Sequence, residues 1–280
     1  MERIKEPGRK SGVGSGARSA MERGGIEVRH CTALAEFAEC VRLQQSTWGE
    51  DIVVPSAMFV VAQETGGQIL GAFEGSRLVG FTMALAAIHG LTPFLHSHMT
   101  AVLPEFQNCG VGRRLKLLQR EDALARGIRL VEWTFDPLEL KNAYFNLVRL
   151  GAVARRFIPN CYGITDSPLH SGLPTDRLLA EWWLDSPRVR AILEANDNAA
   201  AAQESGATER VRVPADIGEL RNKDRAAAER IQDEIRKQFQ HWYGREYIAI
   251  GLAPNGPTAD YLLEPATAIA AQVFPESSRG

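Results

Sequence analysis

Cysteine is scarce in this chain: four residues in 280, Cys31, Cys40, Cys109 and Cys161, with no two in a CxxC spacing. That spacing argues against a disulfide framework or a zinc knuckle, and reduced thiols are the simpler reading. None of the six histidines falls in an HExxH pair, and no third ligand has supporting spacing, so no metal is expected. No apolar run approaches the ~20 residues of a membrane span. Neither sign of charge is in excess: 32 Lys and Arg face 34 Asp and Glu, a formal net charge of -2. That balance argues against nucleic acid or an anionic membrane as partner. The opening stretch, MERIKEPGRKSGVGSGARSAMERGG, lacks the apolar centre of a secretory signal, so the expected compartment is the cytoplasm.

What is present is a hydrophobic share of 45%, enough for one large domain or two small ones. Residues 1–24 read as a disordered arm. The triplet Met-Glu-Arg opens the chain at Met1 and recurs at Met21, so either methionine can mark the start. Residues 25–186 alternate extended and helical patterns. IEVRHC reads as a strand, and TALAEFAECVRLQQSTWG as a helix capped by Thr32. VPSAMFVVAQETG follows as a shorter helix. QILGAFEG and RLVGFTMALAAI read as hairpin strands joined at Glu74, Gly75 and Ser76. FLHSHMTAVL is a third strand. A helix is expected from Gly110 to Gly127, with Val111, Leu115 and Leu118 on one stripe. IRLVEWTF, PLELKNAYFNLVRLG, AVARRFIPNCYG and AEWWLD then give strand, helix and two strands. Residues 187–210, Ala-rich and without clear period, read as a linker. Residues 211–280 hold one long charged helix, DIGELRNKDRAAAERIQDEIRKQFQHWYG, then two strands, REYIAIGL and ADYLLEP. This segment is too small for a large core of its own and is expected to pack on the first unit.

The chemistry concentrates at QNCGVG, Gln107 to Gly112, where a strand ends and a helix begins. A helix start carries unpaired N–H groups and a partial positive charge, so an anion can sit there. Gly110 and Gly112 remove side chains and let a phosphate-bearing ligand approach the backbone. Arg113, Arg114, Lys116 and Arg120 add positive charge. A Walker loop is absent, and a dinucleotide fingerprint fails because Leu115 stands where its third glycine belongs. The plainer alternative is that the two glycines only shape a tight turn.

The order of elements around this motif resembles the GCN5-related N-acetyltransferase (GNAT) superfamily. Its phosphate signature, [QR]-x-x-G-x-[GA], is matched by QNCGVG, and the resemblance covers roughly residues 25–185. It implies an α/β (α+β) fold: a mixed central sheet flanked by helices, here with a C-terminal helix-plus-hairpin extension. The cofactor implied is acetyl-CoA or another short acyl-CoA, as co-substrate. Val102 and Leu103 would offer backbone to the pantetheine arm. Gln107, Asn108, Cys109, Gly110, Val111, Gly112 and Arg113 would hold the pyrophosphate. The later block WTFDPLELKNAYFNLVRLGAVA is similar to the family's N-x-x-A-x-x-x-Y-x-x-x-G-F at Ala143 and Gly151. Leu147 replaces the tyrosine, Ala152 the phenylalanine, and the nearest asparagine is Asn142, two positions off. Asn142 is a candidate contact for pantetheine. The tail FIPNCYGITDSPLHSGLPTDRLLAEWWL looks like a bacterial branch of acyltransferases with a C-terminal extension.

Acyl transfer from a thioester needs a base for the amine, donors for the oxyanion and an acid for the departing thiolate. Holding the reactants in line supplies much of the rest, with no covalent enzyme intermediate. His96 and His98 are the candidate bases; alternation places them on one face with Thr100. Tyr144, three residues before Leu147, and Tyr162, in NCYG, are the candidate acids. Each of the four also has a structural reading, as a hydrogen-bonded sheet or core residue. Cys109 reads as small-residue packing. Arg177, in PTDR, can meet an acceptor carboxylate or cap a surface element. The expected function is transfer of an acetyl or short acyl group to a primary amine of a small molecule, an amino acid among the candidates. Acylation of a protein, or a CoA-binding module without turnover, are the alternatives, and a homodimer is compatible with either.

Overall fold

A computed structural model describes residues 25–49, 53–164, 172–195 and 208–274. The expectations for residues 1–24 and for most of 196–210 fall outside them. Ten strands form one sheet in the order β1-β2-β3-β4-β5-β7-β6-β9-β10-β8.

The first four strands are β1 (Ile26–His30), β2 (Gln68–Glu74), β3 (Arg77–His89) and β4 (Thr92–Val102), each antiparallel to the next. The β2–β3 turn falls at Gly75 and Ser76, as the turn residues predict. On one face lie helices α1 (Leu34–Trp48) and α2 (Ser56–Glu64). Their contact layer is a cluster that includes Phe37, Phe59, Phe81 and Met83, with Met99 packed against it. The expected Thr32 cap is absent. Glu36 instead reaches back and accepts from the N–H groups of Thr32 at 2.8 Å and Ala33 at 3.1 Å, which covers the helix mouth from inside its first turn.

On the other face lies α3 (Val111–Ala125), seated through Val111 and Leu115 on Leu70, Ala72 and Val79. The chain then enters β5 (Leu130–Phe135), parallel to β4, and α4 (Leu140–Tyr144), which continues as a single π-helical turn, Phe145–Arg149. One long α-helix was the sequence expectation there. The wider turn is closed by Leu150 N–H donating to Phe145 C=O at 3.0 Å. β6 (Val153–Ile158) and β7 (Arg177–Trp183) follow, with β7 inserted between β5 and β6.

Residues 187–194, expected within a linker, form helix α5 (Pro187–Glu194). Ser186 caps it by accepting from Val189 N–H, and proline occupies the first helical position, where its missing donor costs nothing. β8 (Glu209–Pro214) leads into two helices where one was expected, α6 (Ile217–Lys223) and α7 (Arg225–Tyr243). Asp224 leaves helical geometry at φ -146° and caps α7 by accepting from Ala227 N–H at 2.9 Å, the ordinary work of aspartate at a helix start. The hairpin β9 (Tyr247–Asn255) and β10 (Thr258–Pro265) appears as read, and α8 (Ala266–Val273) closes the described chain.

The C-terminal strands extend the same sheet, joined where Ala154 of β6 meets Ala249 of β9. One apolar cluster runs from Val131 and Leu147 through Trp182 to Phe239 and Tyr261. Tyr261 Oη, fully buried, donates to the carbonyl of Pro137 at 2.6 Å. The extension therefore supports the back of β5 and α4, the elements that form one wall of the site.

Candidate active site

The site begins where two strands part. β4 and β5 pair at Leu95–Val131 and His96–Glu132, and beyond those pairs a cavity of about 700 Å³ opens between them. Its walls carry Ser97, His98, Met99 and Thr100 from β4 and Trp133, Thr134 and Phe135 from β5. Lys116, Asn142, Asn146, Tyr162 and Arg177 close it from neighbouring elements.

Within β4 the ladder slips: Met83 pairs with Met99, but Ala84 pairs with Ser97, leaving His98 as the additional residue. A bulge of this kind bends the strand and re-aims its side chains. Its first consequence is a correction to the simple alternation. Thr100 Oγ1 lies 2.8 Å from Thr82 Oγ1, whereas Met99 packs toward α1 and α2, so Thr100 faces away from that side. His96 and His98 remain neighbours, their ring centroids 6.3 Å apart. His98 lines the cavity; His96 sits beside it, partly buried. Burial holds the pKa of His96 below the ordinary histidine value, helped by the charges of His98 and Lys116. His98 keeps its ring open to the cleft, yet the protein mass around it lowers its pKa in the same direction. Both rings are neutral at pH 7.

At the other end, Gln107 Nε2 donates to the carbonyl of Val102 at 3.0 Å, which folds the loop back on its strand. Leu103 N–H donates to Val79 C=O at 2.9 Å, inside the sheet. Asn108 and Gly110 adopt left-handed backbone at φ 58° and 81°, and α3 starts with no side-chain cap and no acidic residue in its first turn. A β-carbon added at Gly110 or Gly112 would meet nothing within 4 Å. These glycines therefore face open space and are not required by packing against the protein. Gln107, Asn108 and Cys109 are exposed, and Val111 is buried beneath them as the helix's first anchor. Of the cations expected here, Arg114 donates to Ile26 C=O at 2.6 Å and Arg120 to Leu184 C=O at 2.7 Å. Lys116 is not on the surface at all.

Of the two tyrosines, Tyr162 lines the cavity with its Oη 2.8 Å from Thr134 Oγ1. Tyr144 is 39% exposed and is not among the residues that wall the cavity. Leu147 is fully buried in the core. Asn142 borders the cavity from α4. Arg177 also borders it, its guanidinium 5.4 Å from the Tyr162 ring centroid and donating to Asp176 C=O at 2.9 Å.

Ser97 and Asn146 are cavity residues that motif reading does not reach, and Lys116, read as a cation beside the phosphate loop, lies in the cavity wall instead. Lys116 Nζ donates to Ser97 Oγ at 2.8 Å and to Gln119 Oε1 at 3.0 Å, and lies 4.2 Å from the Trp133 ring centroid. Burial pulls its pKa down to about 7. Asn146, on the π-helical turn, is 2% exposed and its Nδ2 has no hydrogen-bond partner. The signal for Lys116 was the spacing Lys116, Gln119, Ala123, a second buried stripe on α3 that two polar residues conceal.

No family model matches the chain, and no curated protein matches it. Solved structures do. The ribosomal-protein-S18-alanine N-acetyltransferase from Escherichia coli aligns at TM-score 0.46 and 13% identity, over 56% of this chain and 92% of that one. NAA60 from Arabidopsis thaliana, in complex with acetyl-CoA, aligns at TM-score 0.47 and 12% identity, over 57% and 99%. An aminoglycoside acetyltransferase from an uncultured soil metagenomic sample, in complex with trehalose, aligns at 0.37 and 15% identity, over 42% and 82%.

Proposed function

We propose that the chain is an N-acyltransferase of the GCN5-related type, which moves a short acyl group from acyl-CoA to a primary amine. The observation that carries this reading is the cleft between β4 and β5, with an uncapped helix mouth and two space-facing glycines at one end and the imidazole of His98 inside it. A diphosphate at Asn108–Arg113 would receive main-chain donors and the helix dipole. The pantetheine arm would follow the open edge of β4 from Val102 toward Ser97. Asn142 stands where it can meet that arm.

In the reaction, the acceptor amine gives its proton to His98, with His96 behind it. The amine nitrogen then attacks the thioester carbonyl; collapse of the tetrahedral intermediate breaks the C–S bond, and the thiolate takes a proton from Tyr162, which regains one from the new amide nitrogen. Tyr162 is the acid that meets the thiolate; Tyr144, turned outward, is the weaker candidate. A small-molecule acceptor is favoured because Thr134, Tyr162, Thr175 and Arg177 wall the cavity beside Asp136 and Glu139. Those groups suit a compact amine that carries other polar groups.

The test is calorimetric titration with acetyl-CoA, then an amine panel with thiol release as readout. Saturable binding with amine-dependent thiol release is expected. Binding without release for any amine would support the non-catalytic module, and release with peptide amines alone would support a protein substrate.

A further inference from the structure

Lys116 is 4% exposed, and the partners of its Nζ are a hydroxyl, an amide oxygen and an indole face, all of them neutral. Among the described residues it takes part in no ion pair, and no carboxylate neutralises it. A buried ammonium with neutral partners alone is costly, and proteins resolve the cost by losing the proton or by gaining an anion. Asn146 Nδ2 and Gln119 Nε2 are buried without partners. The titratable group that responds to it is His96 on β4, whose own proton affinity the lysine lowers. β5 contributes Trp133 to this end, and the π-helical turn contributes Asn146 to the same cavity.

The position of this excess matters. Ser97 directly follows His96, the last β4 residue paired to β5, so Lys116 marks the narrow end of the gap. A thioester that enters over the 107–113 loop and follows β4 inward points its acyl group at that end. We propose that Lys116, with Ser97 beside it and Asn146 in the same cavity, receives a carboxylate at the far end of the acyl group. The natural donor is then a CoA thioester of a short dicarboxylic acid, of which the malonyl and succinyl half-thioesters are the simplest. This rests on the CoA reading above. An acetyl group has no anion to offer the lysine, and a plain alkyl chain would bury its carbons against a cation.

The experiment compares CoA, acetyl-CoA, butyryl-CoA and succinyl-CoA by calorimetry on the wild-type protein and on Lys116→Met. In the wild type, succinyl-CoA should bind more tightly than butyryl-CoA by on the order of tenfold, the worth of a charge-assisted hydrogen bond. Because the lysine ordinarily loses its proton near pH 7, succinyl-CoA binding at pH 7.5 should also take up protons, seen as a heat that depends on the buffer's ionisation enthalpy. In Lys116→Met the succinyl preference should vanish. Equal wild-type affinities for the succinyl and butyryl esters, or a preference that survives in Lys116→Met, would overturn the assignment. If that variant does not fold, the wild-type affinity ratio and proton uptake decide. Acetyl-CoA binding without a succinyl preference defeats the acyl assignment and leaves the CoA reading standing; no binding by any of the four defeats both.

Discussion

His96 and His98 stand with ring centroids 6.3 Å apart on a strand whose ladder slips one residue at His98. The bulge sets them side by side while turning Thr100 to the opposite face, where it meets Thr82. Burial keeps both imidazoles uncharged at neutral pH, the form that can take a proton. As pH falls they protonate and lose that ability. With acyl-CoA and an accepted amine, kcat/KM should therefore decline on the acid side through a midpoint below about 6.5. His98→Ala should lower kcat by about 100-fold or more, the usual worth of a positioned base, and His96→Ala by less. An acid limb that is identical in wild type and both variants would remove the imidazoles from the reaction.

Gly112 separates the needs of the helix from those of the ligand. Its missing side chain faces open space, so Gly112→Asp introduces no clash. A carboxylate in the first turn of α3 also favours the helix dipole by about 0.3–1 kcal/mol. The variant's midpoint in urea should thus equal or exceed the wild-type value. Its affinity for CoA should nevertheless fall by about tenfold or more, because the new charge stands where the diphosphate would sit. Retained affinity would mean that the diphosphate binds elsewhere.

How much of this was legible in the sequence follows from the range of the forces involved. Strand alternation and helical stripes report burial, which is local, so β1 to β5, α1 to α3 and the C-terminal hairpin fall where the pattern puts them. The loop at Gln107–Gly112 is legible because few residue types tolerate its backbone. A bulge at His98 is not legible, since it arises from the match between two strands and leaves no mark on one of them. The π-helical turn at Phe145–Arg149 is hidden for a similar reason: its residues keep an ordinary helical composition. Asp224 was readable as a cap, but the charged run on both sides of it disguised the break. Lys116 misled most, because lysine on a helix is usually solvated, and only the packing of α3 over Ser97 and Trp133 shows otherwise.

That buried lysine also shapes the stability of the protein. Its pKa is near 7 when folded, against an ordinary value of 10.5, so between those values the unfolded chain binds more protons than the folded one. Stability contributed by this site accordingly rises as pH increases from about 7 toward 10. Below pH 7 the folded state carries the full cost, on the order of 3–5 kcal/mol. Lys116→Met keeps the length and removes the charge. In urea melts it should exceed the wild type clearly at pH 6 and lose that advantage by pH 9.5. An advantage that does not change with pH would mean that the ammonium is stabilised when buried.

Arg221 ties the C-terminal extension to the cleft wall. It is 6% exposed on α6, and its guanidinium reaches Asp136 at 2.7 Å and Glu139 at 3.1 Å, two carboxylates that border the cavity. The two ends of this contact differ in weight. The Asp136 side chain is 12% exposed and that of Glu139 51%, so solvent screens the second pair and little stability is expected from it. Arg221→Met would leave the largely enclosed Asp136 carboxylate without its cation, at a cost of about 2–3 kcal/mol. Adding Asp136→Asn to Arg221→Met should recover part of it at pH 7, since the orphaned charge is then gone; adding Glu139→Gln should recover little. The same single variant makes the acceptor end of the cleft more negative, and a cationic amine should show a lower KM than a neutral one of equal size. Equal rescue by the two second-site changes would show that the exposed pair matters as much as the enclosed one, against the argument from burial.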